Sequence, residues 1–349
     1  MIPANTESGG QGAKGAGGTP RPLTLRGVVF EPALFCAPMA SITHSAFRRL
    51  LADFGGYGAL FTEMLSAKTI LGEDRERSAF LKRRPQEGKV IYQLLAWETH
   101  RLDETIERLS PLKPDGLDLN LACSAWSVTK AGGGAALCED PQRLAGIVRV
   151  MRRSFAGPLF AKLRLGREAE GWRERLGERL RLLEGEGVDA VTVHPRFHEE
   201  KFKRSARHRL YAELAAGTRL PIIASGDIGG QEDCRALAAE LSPAAGVMIG
   251  RMAAACPWVF ARWRDPGLTV DHAEVWRRLC AYVAEDFEPG QALIRLKVIA
   301  PYFGRNLFFG HRFFVEVHNA PDLAAVRERT ERFFSVPPRL CRSVAVGGI

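Results

Sequence analysis

The chain has 349 residues, 49 Lys and Arg against 40 Asp and Glu, a net charge of +9 and 46% hydrophobic residues. That is enough apolar material for one large domain and a smaller one, and it excludes fibrous and mainly disordered chains. No window approaches eighteen uncharged apolar residues, and the N-terminus lacks the basic, apolar, small-residue order of a leader, so a cytoplasmic chain with no membrane partner is expected.

Residues 1–22 are rich in Gly, Ala, Ser and Pro and read as a disordered tail. From residue 33 short apolar runs alternate with helical patterns. The strand candidates are 33–37, 58–63, 89–94, 116–121, 158–163, 189–194, 221–225 and 245–249. Between them lie amphipathic stretches such as Leu144, Ile147, Val148 and Met151, opened by Asp140 as cap and Pro141 at the first helical position. Eight such units predict an α/β fold, a (β/α)8 TIM barrel over 23–264, with a doubly wound sheet as the alternative. After residue 265 the strand pattern stops, and 265–349 reads as a smaller C-terminal helical domain, broken at Pro289-Gly290 and Pro321.

Alternation phases each strand. Where Leu119 and Leu121 face helices, Asp118 and Asn120 point inward; Phe160 and Lys162 point inward against Ala161 and Leu163, and Thr192 and His194 against Val191 and Val193. The same count turns Glu63, Gln93 and Ser225 inward at their strand ends. A lone Gln or Asn there is commonly a satisfied polar group. Lys162 inside FAKLRL is different, because a buried ammonium needs an anion or a carboxylate. Together these groups mark the face where barrel enzymes build their sites.

Two glycine turns, SGDIGG at 225–230 and IGRMA at 249–253, follow the last two strands, where this fold binds phosphate. Arg251 adds a charged fork. Cys123 lies three residues past Asn120 in a loop at the same face, followed by Lys130 and the glycines 132–134, here expected to be flexible. It can serve as general acid or nucleophile, whereas Cys36, Cys138, Cys234, Cys256 and Cys280 suit packing. The seven cysteines follow no CxxC or Cys/His spacing, so neither a disulfide framework nor a metal site is expected. The run 195–210 carries Arg196, Lys201, Lys203, Arg204, Arg207 and Arg209, either a solvated helix face or a nucleic-acid contact.

FCAPMA (35–40), FTEM (61–64), DLNLAC (118–123), FAKLRLG (160–166), VHPR (193–196), SGDI (225–228) and MIGR (248–251) stand in order at these strand ends. Over about 33–263 the chain resembles the dihydrouridine synthase family, FMN-dependent enzymes that reduce uridine in RNA. The resemblance implies that Pro38, Met39, Ala40, Gln93, Lys162, His194, Ser225, Gly226, Asp227, Gly250 and Arg251 line FMN. It implies that NADPH is the reductant, that Cys123 donates a proton to C5 of uracil, and that Lys162, His194 and Asn120 complete the catalytic set. RNA, and tRNA before other RNAs, is then the expected partner, gripped by Arg196, Lys201, Lys203, Arg204, Arg207 and the C-terminal helices of a monomer. The family usually carries Gly-Cys-Pro and Asn-Gly-Asp where this chain has Ala122-Cys123-Ser124 and Ser225-Gly226-Asp227. A small-molecule FMN oxidoreductase on the same barrel and a non-catalytic RNA-binding relative are the alternatives.

Overall fold

The computed structural model describes residues 19–346. The expected tail lies outside the described residues up to position 18, and 19–22 carry no regular structure. A hairpin comes first, β1 (Leu23–Leu25) and β2 (Val28–Phe30), turning through Arg26 and Gly27, both at positive φ. Paired left-handed residues match the twist of the strands that a two-residue turn joins. This hairpin is additional to the eight strands expected from the sequence, although the period-two pattern of LTLRGVVF is a local signal for it.

Eight parallel strands then close a barrel: β3 (Leu34–Cys36), β4 (Ala59–Ser66), β5 (Val90–Leu95), β6 (Gly116–Leu121), β7 (Leu159–Arg164), β8 (Ala190–His194), β9 (Ile222–Ser225) and β10 (Gly246–Ile249). They pair in sequence order, and β10 closes on β3. All eight expected strands are present, and the doubly wound alternative is excluded by the closure.

Strand alternation divides the core in two. Leu34, Leu60, Val90, Leu119, Ala161, Val191, Ile222 and Val247 pack outward among the helices. Phe35, Phe61, Ile91, Phe160, Ala190, Ile223 and Met248 fill the barrel interior. Leu23, Leu25 and Phe30 of the hairpin join the interior set, so β1 and β2 stopper the lower end. Phe30, Phe35, Phe61 and Phe160 pack with ring centroids 5.6 to 6.4 Å apart, mostly edge to face, contacts worth about 0.5–1.5 kcal/mol each beyond area burial. With that end sealed by aromatic rings, the cavity among the described residues opens at the upper mouth.

One strand departs from simple alternation. Phe61 pairs with Ile91 and Met64 with Gln93, so Thr62 and Glu63 together stand opposite Tyr92. This bulge turns Met64 into the mouth and corrects the expectation that Glu63 points there. Glu63 instead accepts the Ser41 N–H at 2.6 Å and lies 4.0 Å from Arg295 of the C-terminal region.

The helices His272–Asp286, Pro289–Phe303, Gly310–His318 and Leu323–Phe334 form the C-terminal region. Pro289 opens its helix, where its missing N–H costs nothing. Their core, Trp276, Phe303 and Phe313, is continuous with Trp258 and Phe47 of the barrel layer. Arg49–Glu285, Lys82–Asp286 and Arg84–Asp286 pairs of 2.6 to 2.8 Å tie this region to the barrel. Beneath them Arg48, fully buried, pairs with Glu87 at 2.8 Å and also donates to the carbonyls of Thr43 and Lys82.

Candidate active site

The upper ends of the strands surround a cavity of about 530 Å³. It is lined by Pro38, Met39 and Ala40 after β3, Met64, Gln93, Asn120 and Cys123, Lys162 and Arg164, His194, and the turns at 225–229 and 250–252. Every residue expected to contact the cofactor therefore lies on one cavity.

Lys162 stands beside Asn120 in the sheet register, at the height where the apolar filling gives way to polar groups. Its ammonium makes no hydrogen bond or ion pair with another described residue. Burial pulls it down to about 8; Arg164 pushes the same way, and Asp118 opposes both. A cation with no hydrogen-bonded partner at the base of a pocket, and only the Asp118 carboxyl below it to offset its charge, is a site for an electron-rich or anionic group. Below it Asp118 is fully buried, and burial pushes its carboxyl up to about 7 against the Gln93 hydrogen bond and the charge of Lys162.

His194 is held neutral. Burial and the surrounding cations Lys162, Arg164, Arg196 and Arg251 hold its imidazolium form well below the usual range. Arg196 donates to His194 Nε2 at 2.8 Å, and a guanidinium has only donors, so Nε2 is the acceptor and Nδ1 carries the proton. Gly226, at φ +101, permits this packing: a Cβ there would stand 2.5 Å from the His194 ring. The same Arg196 pairs with Asp227, which also receives Arg251 at 3.0 Å and the Ala206 N–H at 2.8 Å. Burial raises the Asp227 carboxyl, but these donors outweigh it and hold the group below the usual range.

Asn120 Oδ1 accepts the N–H groups of Ala122 and Cys123 at 3.1 and 3.0 Å, while its Nδ2 donates to Gln93 Oε1 at 2.8 Å. The Cys123 carbonyl accepts the Ala135 N–H at 2.9 Å. Gly134, at φ +55, lies so close that a Cβ would stand 2.5 Å from that carbonyl. The glycines expected to be flexible are thus a close-packed support for the cysteine. Cys123 is half-buried on the cavity, whereas Cys36, Cys138, Cys234, Cys256 and Cys280 are buried, and all seven are free thiols.

The basic run is neither a helix nor uniformly a surface. Residues 197–209 form a loop across the mouth, with Phe202 beneath Arg251 and Arg164 at 4.7 and 5.3 Å from its ring. Arg196 is 2% exposed and lies behind the cavity-lining His194 and Asp227, which corrects its expected place among the surface contacts. Arg207 forms a fork on Glu200 with contacts of 2.7 and 2.6 Å. Lys201, Lys203 and Arg204 remain exposed. Sequence reading also missed Trp126, 73% exposed just past Cys123 with Lys130 4.6 Å above its ring, and Val344–Val346, which reach the cavity rim where Arg251 donates to the Val346 carbonyl. A Trp three residues past a candidate thiol was a signal available in the sequence; its exposure and the return of the C-terminal segment were not.

A closed parallel barrel with a polar, cationic cavity over the carboxyl ends of its strands defines a (β/α)8-barrel protein with its candidate site at that mouth. The Dihydrouridine synthase (Dus) family model matches residues 35–289, and the chain belongs to that family. It is 29% identical over 244 residues to a probable tRNA-dihydrouridine synthase of Rhodobacter capsulatus, covering 69% of this chain and 73% of that protein. It is 32% identical over 243 residues to the tRNA-dihydrouridine(16) synthase of Cupriavidus necator, covering 66% and 73%. Its fold is similar to that of the old yellow enzyme from Trypanosoma cruzi, with a TM-score of 0.51 at 10% identity over 72% of this chain and 93% of that one.

Proposed function

We propose that this chain reduces uridine to dihydrouridine in RNA, with tRNA as substrate, FMN as cofactor, NADPH as reductant and Cys123 as proton donor to C5. The observation that carries the reading is the convergence of an unpartnered Lys162 ammonium and a loop-anchored Cys123 on one cavity. Family membership, and relatives named as tRNA-dihydrouridine synthases, support the substrate class.

The residues present fit a flavin mononucleotide. Lys162 offers its charge to the electron-rich part of the ring, Gln93 and the 38–40 segment line the cavity beside it, and Ser225, Gly226, Gly250 and Arg251 line the side where the two glycine turns approach. A flavin bound there supplies the hydride that adds to C6 of the uracil. The Cys123 S–H bond breaks as the C5–H bond forms, and the thiolate regains its proton from solvent. Lys162 stabilises negative charge in a low-dielectric pocket. His194, neutral and fixed by Arg196, offers a hydrogen-bond donor and no proton to transfer.

A uridine in folded RNA reaches this cavity only when turned out of its stack, at a cost of a few kcal/mol. Exposed Lys201, Lys203 and Arg204 can offset that cost at the phosphates, and Trp126 offers a face on which a neighbouring base can stack. The purified protein is expected to be yellow, and RNA from a strain lacking the gene to lose dihydrouridine at specific positions. A colourless protein that takes up no added FMN, or an unchanged dihydrouridine map, overturns the reading.

A further inference from the structure

Asp118 reaches neither solvent nor the cavity, yet it begins a continuous chain of hydrogen bonds that ends at the cysteine. Its Oδ2 accepts Gln93 Nε2 at 2.6 Å. Gln93 Oε1 accepts Asn120 Nδ2 at 2.8 Å, and Asn120 Oδ1 accepts the backbone N–H groups of Ala122 and Cys123. The strand register makes this possible, since Gln93 and Asp118 are cross-strand neighbours and Asn120 follows Asp118 on the same inward face. All three side chains are nine-tenths or more buried, so water does not compete for these bonds.

The polarity of this chain is set from both ends. The Asp118 Oδ2 accepts, as a carboxylate oxygen or as the carbonyl oxygen of the protonated acid that a rise to about 7 also populates, so Gln93 turns its amide nitrogen toward Asp118 and its oxygen toward Asn120. Backbone N–H groups can only donate, so Asn120 must turn its oxygen toward the loop and its nitrogen toward Gln93. The two requirements agree, and one arrangement of the two amides satisfies them. If the acceptor at position 118 is removed, Gln93 loses the partner that holds its orientation. A flipped Gln93 then drives Asn120 to present its NH2 to two N–H donors, which breaks the anchor of the loop.

We propose that Asp118 is a positioning residue which, acting through Gln93 and Asn120, holds the Cys123 backbone in place at the cavity. The consequence for catalysis rests on the proposed uridine reduction, though the relay itself does not. Asp118 makes no contact with substrate in this scheme. Its effect is on the placement of the thiol, where a displacement of an ångström can cost on the order of 10²-fold in rate.

The test compares Asp118→Leu, which removes the acceptor while keeping the branched shape, with Asp118→Asn, which keeps an acceptor oxygen for Gln93 and removes the charge. Two quantities are read on the flavin-loaded, full-length protein: the alkylation rate of Cys123 by iodoacetamide, followed on its own peptide, and single-turnover oxidation of the pre-reduced enzyme by RNA. In Asp118→Leu the turnover rate is expected to fall by about 10- to 100-fold and the alkylation rate to change by about tenfold, with RNA affinity unchanged. Asp118→Asn is expected to return both to within a few-fold of wild type, a rescue that a general packing defect does not give. Should the Leu variant not fold, Asp118→Ala removes the same acceptor without added volume. Wild-type alkylation and turnover in a folded variant lacking the acceptor overturns the relay, as does equal loss in the Leu and Asn variants. A wild-type protein without uridine reduction overturns the functional reading instead, and the alkylation comparison still decides the relay.

Discussion

Arg196 lies 2.8 Å from His194 Nε2, with its other nitrogens on Asp227 and the Arg204 carbonyl, although in sequence it is the first residue of a basic run. One guanidinium thereby fixes the tautomer of a cavity histidine and neutralises the aspartate of the turn after β9. Position in the run therefore decides what each charge does. Lys201→Glu combined with Lys203→Glu is expected to weaken RNA binding and lower the salt slope by about one for each phosphate no longer neutralised. Arg196→Gln is expected to leave the salt slope unchanged and to weaken flavin retention. Filter binding across a salt series, with flavin content measured in parallel, checks both; a reduced slope in Arg196→Gln would place that residue on the RNA after all.

Cys123→Ala is expected to keep the flavin and its reduction by NADPH while uridine reduction falls by about 10² to 10⁴, the usual cost of losing a general acid. Cys138 serves as the control, since it is buried and its thiol donates to the Leu121 carbonyl. Cys138→Ala should lower the unfolding midpoint slightly and leave turnover intact. Equal single-turnover rates in the two variants would mean that the proton comes from another group.

Lys162 gives two pH dependences of opposite sign. Its ammonium, lowered by burial to about 8, is charged below that pH and neutral above it, so flavin affinity should decline between pH 7 and pH 9 and be low and flat in Lys162→Met. Stability of the flavin-free protein runs the other way. The unfolded chain holds this proton up to about the ordinary lysine value of 10.5 and the folded chain releases it near 8, so between those values the unfolded state binds more protons and folding gains as pH rises. Flavin titrations and urea midpoints at pH 7, 8 and 9, wild type against Lys162→Met, read both trends. An affinity that does not change with pH would remove Lys162 from the flavin.

Arg48→Leu leaves the fully buried Glu87 carboxylate without its partner and is expected to cost about 3–5 kcal/mol of stability. Replacing both members, Arg48→Met with Glu87→Leu, should recover most of that loss, since the desolvation of both charges is then avoided. Urea denaturation of the three proteins checks this. A double variant as unstable as the single one would show that the arginine acts chiefly through the carbonyls of Thr43 and Lys82.

The sequence by itself determined the eight βα units and, outside the β4 bulge, the side most strand residues face, because strand alternation and the switch to helical periodicity are local properties of the chain; that the strands close into a barrel was decided by the structure. It also determined the set of groups at the mouth: Gln93, Asn120, Lys162, His194 and Ser225 end their strands pointing inward for the same reason that Leu119 and Val193 point outward. Only the tertiary structure decided which of these groups touch. Whether Arg196 faces solvent or His194 depends on how the 197–209 loop crosses the mouth, and whether Glu63 or Met64 enters the cavity depends on one extra residue in β4 opposite Tyr92. The link from Asp118 to Cys123 crosses from β6 to β5 and back, and the approach of Val346 to Arg251 spans 95 positions in the chain. Such pairings are set by strand register and by packing between distant segments, and the residues forming them carry no mark of it in their neighbours along the chain.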